Sequence, residues 1–198
     1  SERITSEIAR MTQLMDDVLI LGKIGSSYLQ PNPKKVDLVL MLSDIKDQSD
    51  IIYPEGRCLN LEIVGETKIA FLDEKLIRHV FENIISNAFK YSLETNPFVL
   101  LTFKSESIIV SVEDKGIGIP KADIEKLFQP FYRADNVGPV SGTGLGLVIA
   151  KEYVELNGGS IHLSSIENKG TKVTVELPLN IVDHHENTPD ELKEINFN

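Results

Sequence analysis

Apolar residues recur at steps of three and four along the opening stretch: Ile4, Ile8, Met11, Leu14, Met15, Val18 and Leu21. That spacing predicts a helix with an apolar stripe broader than a strict coiled-coil seam, as in a helical bundle. Glu7, Arg10, Gln13 and Asp17 form its polar side, and such a stripe needs a partner to cover it. Gly25-Ser26-Ser27 and Pro31-Asn32-Pro33 then break the pattern as a linker. Beyond it, Val36–Ile45 reads as a helix after a short extended entry. Leu59–Val64 and Lys68–Leu72 read as strands flanking a turn at Gly65-Glu66. Glu74–Tyr91 carries the clearest helical period, and Phe98–Lys104 with Ser107–Glu113 reads as a hairpin. Lys121–Leu127 is a short helix entered through Pro120. Leu145–Leu156 is a longer one stopped by Asn157-Gly158-Gly159. Ser160–Ser165 and Thr171–Leu177 form a second strand pair, and after Pro178 the chain is acidic and poor in large apolar residues. Strands in mixed order with three helices predict an α+β fold, a two-layer α/β sandwich with helices on one face of a mixed sheet.

Composition narrows the function. Hydrophobic residues make up 41% and charged residues 25%, the balance of a globular chain. The net charge of −10 argues against a nucleic-acid partner, which needs a basic face, but not against one bound nucleotide. Cys58 is the only cysteine, so no intrachain disulfide forms. No apolar run approaches the roughly 20 residues that cross a bilayer, and no secretory signal is visible at the start. A cytoplasmic setting is therefore expected.

Four segments carry candidate chemistry. On the helix Glu74–Tyr91, Asn83, Asn87 and Lys90 share one edge of the buried stripe. Two amides and an ammonium there suit a phosphate chain and its metal, and an amide oxygen is a suitable hard ligand for Mg²⁺. Taken alone, the same edge suits an ordinary solvated helix surface. Asp114-Lys115-Gly116-Ile117-Gly118-Ile119-Pro120 follows a strand. Its glycines allow close approach of a flat ligand, and its carboxylate can accept from an exocyclic amine such as adenine's. Gly142-Thr143-Gly144-Leu145-Gly146-Leu147 opens the last helix and exposes backbone N–H groups to an anion. It is neither a Rossmann fingerprint nor a P-loop. Finally, Phe128-Gln129-Pro130-Phe131-Tyr132-Arg133 ends in a guanidinium suited to phosphate, beside a loop with Gly138 and Pro139 that suits a lid.

In this order the four segments resemble the N box, first glycine box, F box and second glycine box of the ATP-binding domain of sensor histidine kinases. The resemblance covers about residues 34 to 178, and Lys169-Gly170-Thr171 resembles the closing glycine-threonine pair beside the adenine. It implies the Bergerat fold with ATP and Mg²⁺ as cofactors. Asn87 is implied as the Mg²⁺ ligand, with Asn83 beside the phosphates, Lys90 on a phosphate and Tyr91 near the base. Asp114 is implied to read adenine, with Gly116, Gly118 and Ile119 close to the ring and Thr171 beside it. Arg133 is implied to approach the γ-phosphate. Gly142, Thr143, Gly144, Leu145 and Gly146 are implied on the phosphate side. Catalysis would rest on Arg133, Asn83 and Lys90.

Met15-Asp16-Asp17-Val18-Leu19 resembles the second helix of the dimerisation hairpin. The resemblance therefore divides the chain into a hairpin helix and linker (1–30), an ATP-binding catalytic domain (31–178) and an acidic tail or linker (179–198). It implies a homodimer through the dimerisation helices and a response-regulator receiver domain as partner. The phosphoacceptor histidine of the first hairpin helix has no counterpart among His79, His162, His184 and His185, so the chain reads as part of a larger receptor whose membrane anchoring stays open. Three alternatives remain at this stage: an ATPase of the same superfamily (gyrase, MutL-type or chaperone), a serine kinase acting on anti-anti-sigma partners, and a non-catalytic ATP-binding scaffold. The ATPases place a water-activating glutamate where this chain has Asn83. The neighbouring Glu82 is turned by about 100° around the helix.

Overall fold

A computed structural model describes residues 2–25, 29–53, 56–92, 94–138 and 142–179. Ser26-Ser27, the loop centre at 139–141 and the chain from 180 onward, with His184 and His185, lie outside the described residues.

The opening period forms one long helix, α1 (Glu2–Gly25). A short strand, β1 (Lys34–Val36), leads into α2 (Leu38–Ile52), whose start is fixed by Asp37: its Oδ1 accepts from the Val39 and Leu40 N–H groups. This helix runs well past the expected end at Ile45. Its last two turns are mostly polar, and they persist because Asp50 is tied elsewhere, to Lys46 and to the Leu59 N–H at 2.9 Å. After β2 (Asn60–Val64) and β3 (Ala70–Leu72), α3 (Glu74–Ser92) begins at Asp73, whose Oδ1 accepts from Lys75 and Leu76. The hairpin β4 (Phe98–Phe103) and β5 (Ser107–Asp114) follows. Next come a single helical turn, α4 (Lys121–Ile124), α5 (Gly146–Leu156), and the pair β6 (Ser160–Ile166) and β7 (Gly170–Pro178).

Five strands form one mixed sheet in the order β2-β4-β5-β7-β6, parallel between β2 and β4 and antiparallel elsewhere. The strands flanking Gly65-Glu66 belong to different sheets, because β3 pairs instead with β1 in a separate two-stranded ribbon. Alternate strand positions (Val99 and Leu101; Ile108, Val110 and Val112; Val173, Val175 and Leu177) are buried. They meet Ile77, Phe81, Ile84 and Ile85 of α3 and Ile149 and Val154 of α5 in one core. The α+β two-layer expectation holds.

Helix α1 leaves its expected apolar stripe uncovered from Ile8 to Val18 and departs from the expected pattern at Asp17. Met11, Met15 and Leu19 are exposed, while Ile20 and Leu21 pack against the core. Asp17, expected on the polar side, is only 4% exposed. It lies one turn before Ile20 and Leu21, on the side that faces the domain, where its Oδ2 accepts from the Thr143 hydroxyl at 2.9 Å. No helix among the described residues is long and apolar enough to cross a membrane.

Candidate functional site: a cavity between α3, β5 and α5

A cavity of about 820 Å³ opens between α3, the end of β5 and the start of α5. That is ample for a nucleotide, since small-molecule sites run roughly 300–1,000 Å³.

Helix α3 supplies one wall. Its apolar stripe is buried in the core, which fixes its rotation and leaves Asn83, Asn87, Lys90 and Tyr91 along the cavity. Asn87 Nδ2 donates to Asn83 Oδ1 at 3.1 Å, which leaves the Asn87 Oδ1 as the acceptor open to a hard cation. Lys90 is exposed at the rim. Burial pushes the Tyr91 hydroxyl above its ordinary range, and the nearby Arg133 charge counters this.

The end of β5 supplies the floor. Asp114 is 8% exposed, and burial pushes its carboxyl above the ordinary value, against the hydrogen bonds from the Gly116 and Thr171 N–H groups. Gly116 lies so close to the end of α3 that a Cβ there would meet the Tyr91 carbonyl oxygen at 2.1 Å. The Ile117 N–H donates to that same oxygen. Gly118, at φ +62, turns the chain against the Ile166 carbonyl, and with Ile119 and Thr171 it lines the cavity. Ser165 ties these parts together: its hydroxyl accepts from the Ile119 N–H at 2.9 Å, donates to the Gly170 carbonyl and lies 2.9 Å from the Thr171 hydroxyl.

The second glycine segment and the arginine close the phosphate end. Gly142, Thr143, Gly144 and Gly146 line the cavity, and α5 begins there with no side-chain cap on its first N–H groups. A Cβ on Gly146 would meet the Asn83 amide at 2.4 Å, so the two walls touch only because that position is glycine. Arg133 lines the same end, and its Nη1 donates to the Gly142 carbonyl at 3.3 Å.

Two expected contacts are placed elsewhere. The Leu145 side chain is fully buried in the core and not in the cavity, because it faces inward where α5 begins. Gly116 underlies the cavity without lining it. Further residues line it, His79, Glu82 and Asp17 among them. His79 stands one turn before Asn83, its Nδ1 buried without a partner and its ring edge-on to Tyr153 at 5.5 Å. Glu82 is on the rim, 3.9 Å from Arg78, which bridges to Asp44 of α2 at 2.9 Å. Asp17 joins from α1. Apolar spacing signalled none of these, since each position is settled by packing between distant elements.

No trio of His, Cys, Asp or Glu among the described residues is grouped to hold a metal by itself. A cation at Asn87 would have one amide oxygen from the protein, which fits Mg²⁺ held largely by phosphate and water.

A family model described as histidine kinase-, DNA gyrase B-, and HSP90-like ATPase matches residues 72–181. The sensor histidine kinase WalK of Bacillus subtilis (strain 168) is 39% identical over 178 residues, covering 87% of this chain and 29% of that protein. The sensor protein kinase WalK of Staphylococcus haemolyticus (strain JCSC1435) is 33% identical, covering 89% of this chain and 30% of its own. The chain thus spans about three tenths of the length of these curated relatives. Among solved structures, the Acinetobacter baumannii histidine kinase AdeS superposes with a TM-score of 0.74 at 21% identity, over 90% of this chain and 83% of that one. Full-length ShkA in complex with AMPPNP gives the same TM-score at 22% identity, over 90% of this chain and 39% of that one. With an ATP-sized cavity walled by the four segments and the family match extending over most of the domain, the chain belongs to the histidine kinase-, DNA gyrase B- and HSP90-like ATPases, as an ATP-binding catalytic domain of the sensor histidine kinase type.

Proposed function

We propose that this chain binds ATP with Mg²⁺ and donates the γ-phosphoryl group to a histidine of a dimerisation hairpin, for relay to a response-regulator receiver domain. The observation that carries the proposal is the meeting of Asn83, Asn87, Asp114, Arg133 and the Gly142–Gly146 segment in one cavity. The AMPPNP in the similar ShkA structure supports the choice of ligand.

In this reading the protein's own groups bind, orient and shield. The buried Asp114 carboxylate accepts from the adenine amine, and Tyr91 stands near the base. Thr171 closes that end, and Gly118 and Ile119 allow close approach of the ring. Asn83, Lys90 and the backbone N–H groups from Gly142 to Gly146 hold the phosphates, which are also favoured by the start of α5. Arg133 meets the γ-phosphate. Asn87 would hold Mg²⁺, which when bound would supply charge neutralisation for the phosphates. As the acceptor nitrogen bonds to the γ-phosphorus, the bond to the ADP oxygen breaks. The domain contributes position and charge rather than covalent chemistry. Residues 1–30 act as the second hairpin helix and linker, and 31–178 as the catalytic domain. The exposed face of α1 is covered by dimerisation helices in a homodimer.

The test is incubation with radiolabelled ATP and Mg²⁺, with and without an intact two-helix domain from a matching kinase. Label on the supplied hairpin that is acid-labile and alkali-stable is the expected result. Hydrolysis to phosphate with no transfer would replace this reading with that of an ATPase. Label on this chain alone would show that His79 or another of its own histidines can reach the γ-phosphate, against expectation.

A further inference from the structure

Arg133 lies in a stretch that is neither helix nor strand, so no regular element fixes where its guanidinium points. The segment before it is a run of turns. The Gln129 N–H donates to the Lys126 carbonyl, the Tyr132 N–H to the Gln129 carbonyl and the Phe131 N–H to Gly144. Phe131 has φ +64, a costly conformation for a bulky residue, so the direction of the chain leaving it needs an external hold. One carboxylate reaches both sides of the arginine. Asp123, on α4, is 5% exposed and does not line the cavity. Its Oδ1 accepts from the Tyr132 hydroxyl at 2.7 Å, and its Oδ2 takes a longer contact of 3.4 Å from the Asp135 N–H. Lys126 Nζ stands 3.8 Å from Oδ1 and 5.5 Å over the Tyr132 ring, a partial counter-charge for a buried group.

We propose that Asp123 is a positioning residue for Arg133: its two oxygens hold the Tyr132 side chain just before that arginine and the Asp135 backbone two residues after it, and so aim the guanidinium at the γ-phosphate end of the cavity. The inference rests on the reading of Arg133 given above. A carboxylate placed only to stabilise the fold would affect every nucleotide alike. One that aims Arg133 affects only nucleotides with a third phosphate.

The test is calorimetry of ADP and of AMPPNP, each with Mg²⁺, on the parent chain and on Asp123→Ala, Asp123→Asn, Tyr132→Phe and Arg133→Ala. Displacing an oriented group by about an ångström is costly, so Asp123→Ala should lose about tenfold in AMPPNP affinity while ADP changes by less than about twofold. Asp123→Asn keeps the acceptor for Tyr132 and should fall between the parent and alanine. Tyr132→Phe removes one of the two holds and should lose about threefold on AMPPNP alone. If Asp123→Ala does not fold, as judged by circular dichroism, the asparagine and phenylalanine variants carry the test. Loss of ADP and AMPPNP binding together, or an unchanged ratio while Arg133→Ala lowers it, overturns the inference and leaves the Arg133 reading standing. An unchanged ratio in Arg133→Ala overturns both.

Discussion

At the scale of single residues, the site depends on polar groups that burial has made selective. The Asp114 carboxylate sits at the end of β5 under the cavity floor. Adenine offers it an amine, whereas guanine would offer a carbonyl oxygen facing another acceptor. Mispairing buried groups costs about 1–3 kcal/mol, so ADP should bind roughly 5- to 150-fold better than GDP, with Asp114→Asn losing that preference. Equal affinities in the parent chain would remove the adenine role. The same residue has a pH signature. Burial raises its carboxyl above 3.8, so the folded state holds this proton more tightly than the unfolded state. Its contribution to stability is full below that value and is lost as pH rises through the folded pKa. Asp114→Asn removes the effect, so its melting temperature relative to the parent should climb as pH rises above 3.8. A pH-independent difference would contradict the assignment. Asn87 is tested through the metal. Asn87→Ala should flatten the Mg²⁺ dependence of ADP binding and leave the circular dichroism unchanged, because the residue stands outside the core. A parental Mg²⁺ titration in the variant would move the metal elsewhere.

At the scale of elements, α3 orders the site, and its end is held by a residue that no motif points to. Arg57 donates to the Phe89 carbonyl at 3.0 Å, to the Ser92 hydroxyl at 2.7 Å and to the Thr95 carbonyl at 3.0 Å, with its guanidinium 5.1 Å over the Phe89 ring. It satisfies carbonyls that a helix C-terminus leaves open, just where Tyr91 meets the first glycine segment. Arg57→Ala should cost about 1.5–3 kcal/mol in chemical denaturation and weaken ADP at the same time, since the turn bearing Lys90 and Tyr91 loosens. Arg57→Lys cannot reproduce three forked contacts and should rescue little. Loss of stability with parental ADP affinity would separate that turn from the site. This contrast shows what the sequence could reveal. The main helices and strands were legible because Phe81, Ile84 and Ile85, or Val99 and Leu101, repeat at the period of their element. The four site segments were legible because glycines and amides cluster around element ends. Arg57, Asp123 and Ser165 were not, because each is a single polar residue whose role is set by partners outside its own element and not by any repeat. The partners of β2 and β3 were hidden for the same reason: strand periodicity says which face is buried but not which strand lies alongside.

At the scale of the whole molecule, α1 touches the catalytic part over a small footing. Ile20 and Leu21 pack on the core, and Asp17 accepts from Thr143 across 126 positions of sequence. On the outer side Met11, Met15 and Leu19 are each at least 60% exposed, an apolar surface of the kind that a partner covers. The Asp17 contact couples that footing to the phosphate end of the cavity, because Asp17 and Thr143 both line it. Removing the carboxylate leaves the half-buried Thr143 hydroxyl without this acceptor, a loss of about 0.5–1.5 kcal/mol. A helix held in part by this contact opens more often without it. In Asp17→Ala, amide hydrogen exchange should therefore speed up in residues 14–21 while β4 and β5 keep their protection. Thr143→Val, which deletes the donor and preserves the shape, should reproduce the pattern from the other side. A double variant should add less than the sum of the two single changes, since the Asp17–Thr143 contact is lost in each of them. Parental protection of 14–21 in both single variants would show that this contact does not hold α1. Faster exchange there in both variants would identify the Asp17–Thr143 contact as a tie between the helix and the second glycine segment.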